Sequence, residues 1–118
     1  MVAGGEDRIA PEFAEGEVIT IFRSRRRPGS EADHLLLSAE MQAAARAVPG
    51  FVDFATFAAD DGERVSLVTF DSPAAHDRWR DDPGHRRAQL RGRQEFYLSY
   101  SVQVGMCTHV SQWGRLPD

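Results

Sequence analysis

Apolar and polar residues along the chain follow two periodicities, one typical of strands and the other of helices. Runs of alternating or β-branched apolar residues predict strands over 18–22, 51–59, 64–71 and 95–106. Apolar residues spaced three and four apart predict helices over 30–47 and 72–90, the second of them broken near Pro83. Residues 108–113 either extend the last strand or form a fifth. The order β-α-β-β-α-β is the split arrangement of ferredoxin-like folds, so we expect an α+β domain with an antiparallel sheet and the helices on one face.

Local signals mark where the two predicted helices begin. Ser30 is placed to cap the first helix, and acidic Glu31 falls in its first turn, where a negative charge is favourable. Ser72 is placed to cap the second helix, and Pro73 suits the first helical position. The first helix carries one continuous apolar stripe, made of His34, Leu37, Met41, Ala44 and Val48.

Both faces of the predicted sheet carry apolar residues, although the helices can cover only one face. The first strand, for example, places Val18 and Phe22 on one face and Ile19 and Ile21 on the other. A monomer rarely exposes an apolar face of this size, and a second copy is the simplest cover. We therefore expect a homodimer packed sheet to sheet, with the segment that ends in Trp113 lying across the partner.

The size and charge of the chain narrow its possible classes. Its 118 residues are typical of one domain, which we place at 17–113, after a flexible arm over 1–16 and before a tail over 114–118. The net charge of −4 argues against nucleic-acid binding, because phosphate contacts need clustered positive charge. The basic run over 23–27 is either a solvated edge or a clamp for a phosphate or carboxylate. Because no apolar run could cross a membrane and no secretory signal is recognisable, we expect a cytoplasmic protein without membrane contact.

Missing residue types exclude several chemistries. All 14 basic residues are Arg, so neither a Schiff-base lysine nor a P-loop lysine is available. Cys107 is the single cysteine, which excludes an internal disulfide and a thiolate zinc cluster within one chain. The 4 histidines show no HExxH spacing, and we expect no metal site.

Three side chains are candidates for chemistry. Trp79, on the second helix, either packs in the core or lines a pocket in which its indole N–H binds a ligand oxygen. His85 follows the helix break, where it either caps the helix or takes a proton from a phenol near neutral pH. His34 begins the apolar stripe of the first helix, either as a hydrogen-bonded core histidine or as a second candidate base.

Other aromatic and apolar residues are candidates for the pocket wall. By simple alternation Tyr97 and Tyr100 fall on opposite faces of the last strand, one toward the helices and the other toward the dimer interface. Alternation alone does not decide which of the two faces the helices. Phe22 and Phe57 on the strands and Met41 on the first helix complete the expected substrate-binding residues.

Four short stretches carry a resemblance to a known family: VPGF at 48–51, FDSPAAHDRW at 70–79, DPGH at 82–85 and FYLSY at 96–100. In this order and spacing they resemble the antibiotic biosynthesis monooxygenase family over roughly residues 17–113. The resemblance implies a dimeric α+β barrel with a pocket in each subunit between the helices and the sheet.

The resemblance also implies an activity, the oxidation of a small aromatic or polyketide-like phenol by O2 as co-substrate without metal, flavin or other cofactor. In this mechanism His85, or otherwise His34, takes the phenol proton, while Trp79 and a tyrosine orient the ring. Quinone-forming and heme-degrading members use an Asn, whereas this chain has none, and Gln89 stands where heme-degrading members have a His.

Two alternatives stay open at this point. The first is heme binding or heme degradation, with His85 or His34 as the axial ligand. The second is a non-catalytic ligand-binding dimer in a biosynthetic pathway, which predicts a dry, filled pocket with no buried polar group beside Trp79.

Overall fold

Four strands and three helices follow one another in residues 11–114, the part of the chain that this computed structural model describes. In chain order they are β1 (Val18–Arg26), α1 (Glu31–Arg46), β2 (Phe51–Ala58), β3 (Arg64–Phe70), α2 (Pro73–Arg80), α3 (Pro83–Glu95) and β4 (Tyr97–Met106). The strands form one antiparallel sheet in the order β2-β3-β1-β4. The expected α+β ferredoxin-like fold is therefore confirmed, and the predicted second helix is divided at Pro83 into α2 and α3.

Element ends differ from the predictions in a few places. β1 continues to Arg26, beyond the predicted end at Phe22, because it pairs along its whole length with β4. Ser30 precedes α1 as predicted, but its hydroxyl donates to the Arg27 carbonyl at 2.7 Å and does not cap the helix. The predicted strand extension over 108–113 is wrong, since residues 107–114 form neither strand nor helix.

The main core lies between the helices and the inward face of the sheet. Phe70 and Val68 of β3 pack against Ala45 of α1 and against Ala75 and Trp79 of α2. A second buried cluster, formed by Leu37, Ala88 and Phe96, joins α1 to α3 and to the residue that follows it. Burial of these apolar side chains stabilises the helix layer on the sheet and fixes the walls of the space between them.

The outward face of the sheet is apolar over three strands and polar along the fourth. Residues paired across β1, β2 and β3 on this face include Ile21, Leu67, Val65 and Phe57. On β4 the same face carries Ser99, Ser101 and Gln103, while Val102, Val104 and Met106 point to the helix side. The expected apolar outward face is therefore present on β1 to β3 alone.

The ends of the described chain lie against each other. Gly16 N–H donates to the Cys107 carbonyl at 2.9 Å, and Phe13 N–H donates to Gln112 Oε1 at 2.8 Å. Residues 1–10 of the predicted arm and residues 115–118 of the predicted tail lie outside the described residues. Within the described part, no helix is both long and apolar enough to span a membrane.

Candidate functional site

A cavity of about 60 Å³ lies between the inward face of the sheet and the helices. Strands β1 to β4 supply one wall, and α1, α2 and α3 supply the other. The lining residues are Thr20, Phe22, Ser24, His34, Ser38, Met41, Phe54, Thr56, Arg64, Ser66, Val68, Trp79, His85, Gln89, Tyr97 and Val102.

The break between α2 and α3 brings Trp79 and His85 together at one end of the cavity. The Ser72 side chain accepts from the Ala75 N–H and starts α2, as the sequence predicts. The Asp82 carboxylate accepts the backbone N–H of His85 at 2.9 Å and starts α3. With the two helices set at a bend, the His85 imidazole stacks on the Trp79 indole, with ring centroids 4.1 Å apart.

The residues that line this cavity include four whose buried polar atoms have no hydrogen-bond partner in the described part of the chain. Within residues 11–114, the buried side-chain atoms that lack a hydrogen bond are Thr20 Oγ1, Arg64 Nε, Trp79 Nε1 and His85 Nδ1. All four residues line the cavity. An unsatisfied buried polar group costs about 1–3 kcal/mol, so such groups call for a bound partner. The cavity therefore has the chemistry of a binding site for a ligand with polar atoms.

His85 is neutral at neutral pH. Burial lowers the pKa of His85 below its usual 6.5, and the Arg80 carbonyl and the Asp82 carboxylate oppose that shift only in part. A neutral imidazole has one nitrogen with a lone pair, which can accept a proton.

His34 and Tyr97 form the other end of the cavity. His34 Nε2 lies 3.2 Å from Tyr97 Oη, and His34 Nδ1 lies 3.5 Å from Arg26 Nη1. A guanidinium can only donate, so the hydrogen-bond network assigns Nδ1 as the acceptor and Nε2 as the nitrogen that carries hydrogen. The Nε2–H then donates to Tyr97 Oη and leaves the Tyr97 hydroxyl hydrogen free for a ligand.

The surroundings of these two side chains keep both of them neutral. Burial, together with the positive charges of Arg26 and Arg64, lowers the pKa of His34 to about 4. Burial raises the pKa of Tyr97 above 10. At neutral pH this end of the cavity therefore presents a neutral imidazole, a phenolic O–H and two guanidinium cations.

Both tyrosines of β4 face the helices, so their predicted placement on opposite faces is wrong. Tyr100 pairs with Ser24, but Tyr97 pairs with Arg26, and Leu98 is the extra residue at this register shift. A β-bulge of this kind rotates the side chains that follow it. The Tyr97 and Tyr100 rings therefore lie 5.9 Å apart on the same side of the sheet.

Most of the predicted binding residues meet at this cavity. Its lining includes all three candidates for chemistry and three of the candidates for the wall, namely His34, Trp79, His85, Phe22, Met41 and Tyr97. Tyr100 lines an adjoining cavity of about 10 Å³, which shares Phe22 and Met41 with the larger one. Phe57 does not line either space.

The prediction for Phe57 is therefore wrong. Phe57 pairs with Val65 on the outward face and is 60 % exposed. Phe54 and Thr56, three positions and one position earlier in the strand, point into the cavity instead.

Several polar residues of the cavity were missed. Arg64, Ser66, Thr56 and Ser24 all point inward from the strands, where apolar residues are the rule. Their spacing of two within a strand is the signal that could have found them. In β3 this spacing sets Arg64 and Ser66 on the same face as the core residue Val68.

The basic run over 23–27, most of which lies within β1, is divided between the two faces of the sheet. Arg23 and Arg25 point outward and form ion pairs with Glu63 at 2.7 Å and Asp61 at 2.6 Å. Arg26 points inward to His34. The run is thus neither a uniformly solvated edge nor a single clamp.

The remaining histidines and the cysteine stand apart from the cavity. His76 is buried beside Trp79, and its Nδ1 lies 3.1 Å from Asp77 Oδ1. Cys107 donates to the His109 carbonyl at 3.3 Å. Within residues 11–114, no group of three or more His, Cys, Asp or Glu could hold a metal ion.

Comparison with known proteins gives one family. Residues 17–91 match the family described as antibiotic biosynthesis monooxygenase. The chain is also 34 % identical over 56 residues to YqjZ of Bacillus subtilis, an uncharacterized protein, in a match that covers 48 % of this chain and 49 % of YqjZ. The chain therefore matches about half the length of that relative.

Two solved structures are similar over most of this chain. SnoaB, a cofactor-independent oxygenase from Streptomyces nogalater, has a TM-score of 0.67 and 20 % identity, and the match covers 86 % of this chain and 100 % of SnoaB. Rv0793 of Mycobacterium tuberculosis has a TM-score of 0.64 and 23 % identity, and the match covers 84 % of this chain and 97 % of Rv0793. At these identities the similarity supports the fold and not a shared substrate.

Proposed function

The chain belongs to the antibiotic biosynthesis monooxygenase family, and we propose that it is a cofactor-independent monooxygenase that oxidises an aromatic or polyketide-like phenol with O2. The observation that carries the proposal is the cavity beside Trp79, in which buried polar atoms stand without partners. The description of SnoaB as a cofactor-independent oxygenase supports the same class of reaction.

In the proposed mechanism His85 is the general base. It lines the cavity, is neutral, and has Nδ1 without a hydrogen-bond partner. His34 is the weaker candidate, because its Nδ1 accepts from Arg26 and its Nε2–H donates to Tyr97. We therefore assign His34 as a positioning residue, which holds the Tyr97 hydroxyl toward the ligand.

The reaction proceeds by one-electron transfer to O2. His85 takes the proton of the substrate, and the resulting anion gives one electron to O2. The substrate radical and superoxide join through a new C–O bond, and the peroxide takes the proton back from His85. Its O–O bond then breaks with loss of the C–H proton, so that one oxygen atom stays as the quinone carbonyl and the other leaves as water.

The protein contributes positioning and exclusion of water in this mechanism. The stacked pair of Trp79 and His85 offers a flat surface for the ring, and the Tyr97 hydroxyl can donate to the developing oxyanion. Holding the reactants in a dry, oriented site removes much of the entropic barrier.

The enclosed space sets the size of what can enter. A cavity of about 150 Å³ holds one benzene ring, whereas this one measures about 60 Å³. Met41 belongs to the walls of both this cavity and the adjoining one, and its unbranched side chain moves easily. We propose that Met41 swings aside and joins the two spaces, so that the phenolic ring enters beside Trp79 and the rest of the substrate extends toward Tyr97 and Tyr100.

A heme does not fit these residues. Both nitrogens of His34 are engaged, so neither has a free lone pair for iron. The space beside His85 admits a single ring only after Met41 moves, whereas a heme is a macrocycle of four such rings. The non-catalytic alternative predicted no buried polar group beside Trp79, but the unpartnered Nδ1 of His85 lies against that indole. The oxygenase proposal is therefore the one that uses the groups present.

We further propose that the protein acts as a homodimer through its sheet. Phe57 is a large, exposed apolar residue on the outward face, next to half-buried Val65 and Leu67. On the helix side of the edge strand β4, Val104 and Met106 are also exposed. A second copy packed on the outward face would cover the area around Phe57, because a two-fold axis brings this area against the same area of the partner.

The direct test is to incubate the purified protein, after treatment with a chelator, with an anthrone in air and to follow the quinone by absorbance. The proposal predicts quinone formation well above that of a heat-denatured control. Hemin is titrated separately, and a sharp Soret band without any quinone formation would refute the proposal in favour of heme binding.

A further inference from the structure

Two guanidinium groups lie at the Tyr97 end of the cavity. Arg64 pairs with Ser24 across β3 and β1, and Arg26 pairs with Tyr97 across β1 and β4, so both point to the inward face. Arg64 lines the cavity, and Arg26 contacts His34. Both charges act on the His34 ring, since each of them lowers its pKa.

Neither cation has an acidic partner within residues 11–114. The ion pairs of this region join Arg23 to Glu63 and Arg25 to Asp61, all on the opposite face of the sheet. On the outward face the cations are thus neutralised, whereas on the inward face they are not. The sheet therefore places unbalanced positive charge at one end of the cavity.

The Arg64 side chain also offers a hydrogen-bonding edge. Its Nε is buried and has no partner, although an arginine N–H away from water normally has one. The Nε–H and the neighbouring Nη–H of a guanidinium point in parallel, which matches the two oxygens of a carboxylate.

The cavity carries positive charge at this end, whereas the other end is formed by neutral side chains, with the flat Trp79 and His85 rings stacked on each other. Trp79 packs on Phe70 and Val68, whereas Arg64 lies four positions before Val68 on the same face of β3. At about 3.3 Å per residue, this spacing separates the two ends by about 13 Å. A ligand that uses both ends needs a flat apolar body and a negative group at its far end.

We propose that the pocket takes an aromatic carboxylate, with its ring at Trp79 and His85 and its carboxylate bound by Arg64 with the support of Arg26. The inference rests on the proposed function for the placement of the reacting ring at Trp79 and His85. It adds that the substrate is negatively charged and which way it is oriented in the cavity. A guanidinium that binds the carboxylate also directs the reacting ring toward His85 and not away from it.

Calorimetric titration with biphenyl-4-carboxylate and with the matched neutral biphenyl-4-carboxamide tests the proposal. The native protein should bind the acid about tenfold or more tightly than the amide, as expected for a charge-assisted hydrogen bond. Arg64→Gln should lose this preference, because its affinity for the acid falls while its affinity for the amide stays within about twofold of the native value. Arg23→Gln, which removes an outward-facing charge of the same kind, should keep the preference.

Equal binding of the acid and the amide to the native protein would overturn the proposal, as would a failure of both to bind. If Arg23→Gln and Arg64→Gln lost the preference for the acid equally, the proposal would be overturned as well, because the net charge of the protein and not the cavity would then explain that preference. Circular dichroism and the Tm show whether each variant is folded, and Arg26→Gln provides a second inward-facing variant with the same expected loss. Quinone formation from a neutral anthrone is measured separately, so failure of the oxygenase proposal is distinguishable from failure of this one.

Discussion

Replacing His85 by Gln removes the proposed base and leaves most of its surroundings in place. The N-terminal cap of α3 uses the backbone N–H of His85, so the Asp82 hydrogen bond is retained in the variant. Gln also fills much of the space above the Trp79 ring, although it loses the stacked imidazole. The change therefore tests proton transfer more than folding.

A positioned general base contributes about 10²- to 10⁴-fold to a rate, which corresponds to about 3–5 kcal/mol in the activation free energy. We therefore expect His85→Gln to lower kcat for anthrone oxidation by at least about 100-fold, with a smaller change in KM. The loss should fall on kcat because the base acts on the reacting proton and not on substrate binding.

The pH profile separates loss of the base from loss of packing. Since burial lowers the pKa of His85 below 6.5, the native rate should fall at acidic pH, when the imidazole becomes protonated, with the midpoint of this acidic limb below pH 6.5. In His85→Gln this acidic limb should disappear. A variant that only loosened the Trp79 packing would keep the limb at a lower rate.

His76→Gln is the matched control. His76 is as well buried as His34 and contacts Trp79, with ring centroids 6.4 Å apart, but it does not line the cavity. Its replacement should change kcat by less than about threefold. The assignment of His85 is refuted if both variants lose activity equally, or if His85→Gln keeps its rate or its acidic limb.

The other predictions concern stability, the pocket wall and assembly. Ala at Gly92 would place its Cβ 2.7 Å from Tyr97 Cε2, so Gly92→Ala should displace the tyrosine ring and raise KM. The free energy of unfolding in urea should fall by a net of about 1 kcal/mol. Gly105→Ala, whose Cβ would lie in open space, is the control, and equal KM values in the two variants would contradict the contact. The lowered pKa of His34 means that the unfolded chain binds more protons between about pH 4 and 6.5, so the free energy of unfolding should fall by about 1–2 kcal/mol as the pH drops through that window. A His34→Gln variant with the same pH slope would contradict this assignment. Phe57→Glu should convert the proposed dimer to a monomer, as measured by light scattering. Leu36→Glu, at an exposed position on α1, should leave the dimer intact, and a native protein that is already monomeric would refute the dimer.

The fold and one end of the site could be predicted from the sequence because the signals for them are local. Ser72 with Pro73 and Asp82 with Pro83 mark two helix starts, and these starts set Trp79 and His85 on facing helices. The alternation of apolar residues likewise predicted the four strands that form the sheet.

The other end of the site could not be predicted, because it depends on strand register. A bulge at Leu98 places Tyr97 beside Tyr100, and no feature of an alternating sequence reveals where a register shift occurs. The partner of Tyr97 is His34, 63 positions away along the chain. Phe57 was misplaced because apolar residues stand on both faces of β2, so that alternation gave no preference for either face.

Arg64 was missed for a different reason. It directly follows the hairpin turn, where a charged residue is ordinarily solvated, and its inward direction depends on pairing with Ser24. Its importance comes from its place in the cavity wall, where its cation has no acidic partner within residues 11–114, and this place is visible only when the strands are assembled.

An experiment with labelled oxygen shows directly whether this pocket transfers one oxygen atom from O2 to a phenolic ring without a cofactor. The chelator-treated protein is supplied with an anthrone under ¹⁸O2, while oxygen uptake is followed by electrode and the quinone by mass spectrometry. The account predicts one O2 consumed and one ¹⁸O incorporated for each quinone formed, at a rate that depends on His85. Oxygen uptake no faster than in the protein-free blank, or a quinone whose new oxygen comes from water, would contradict it.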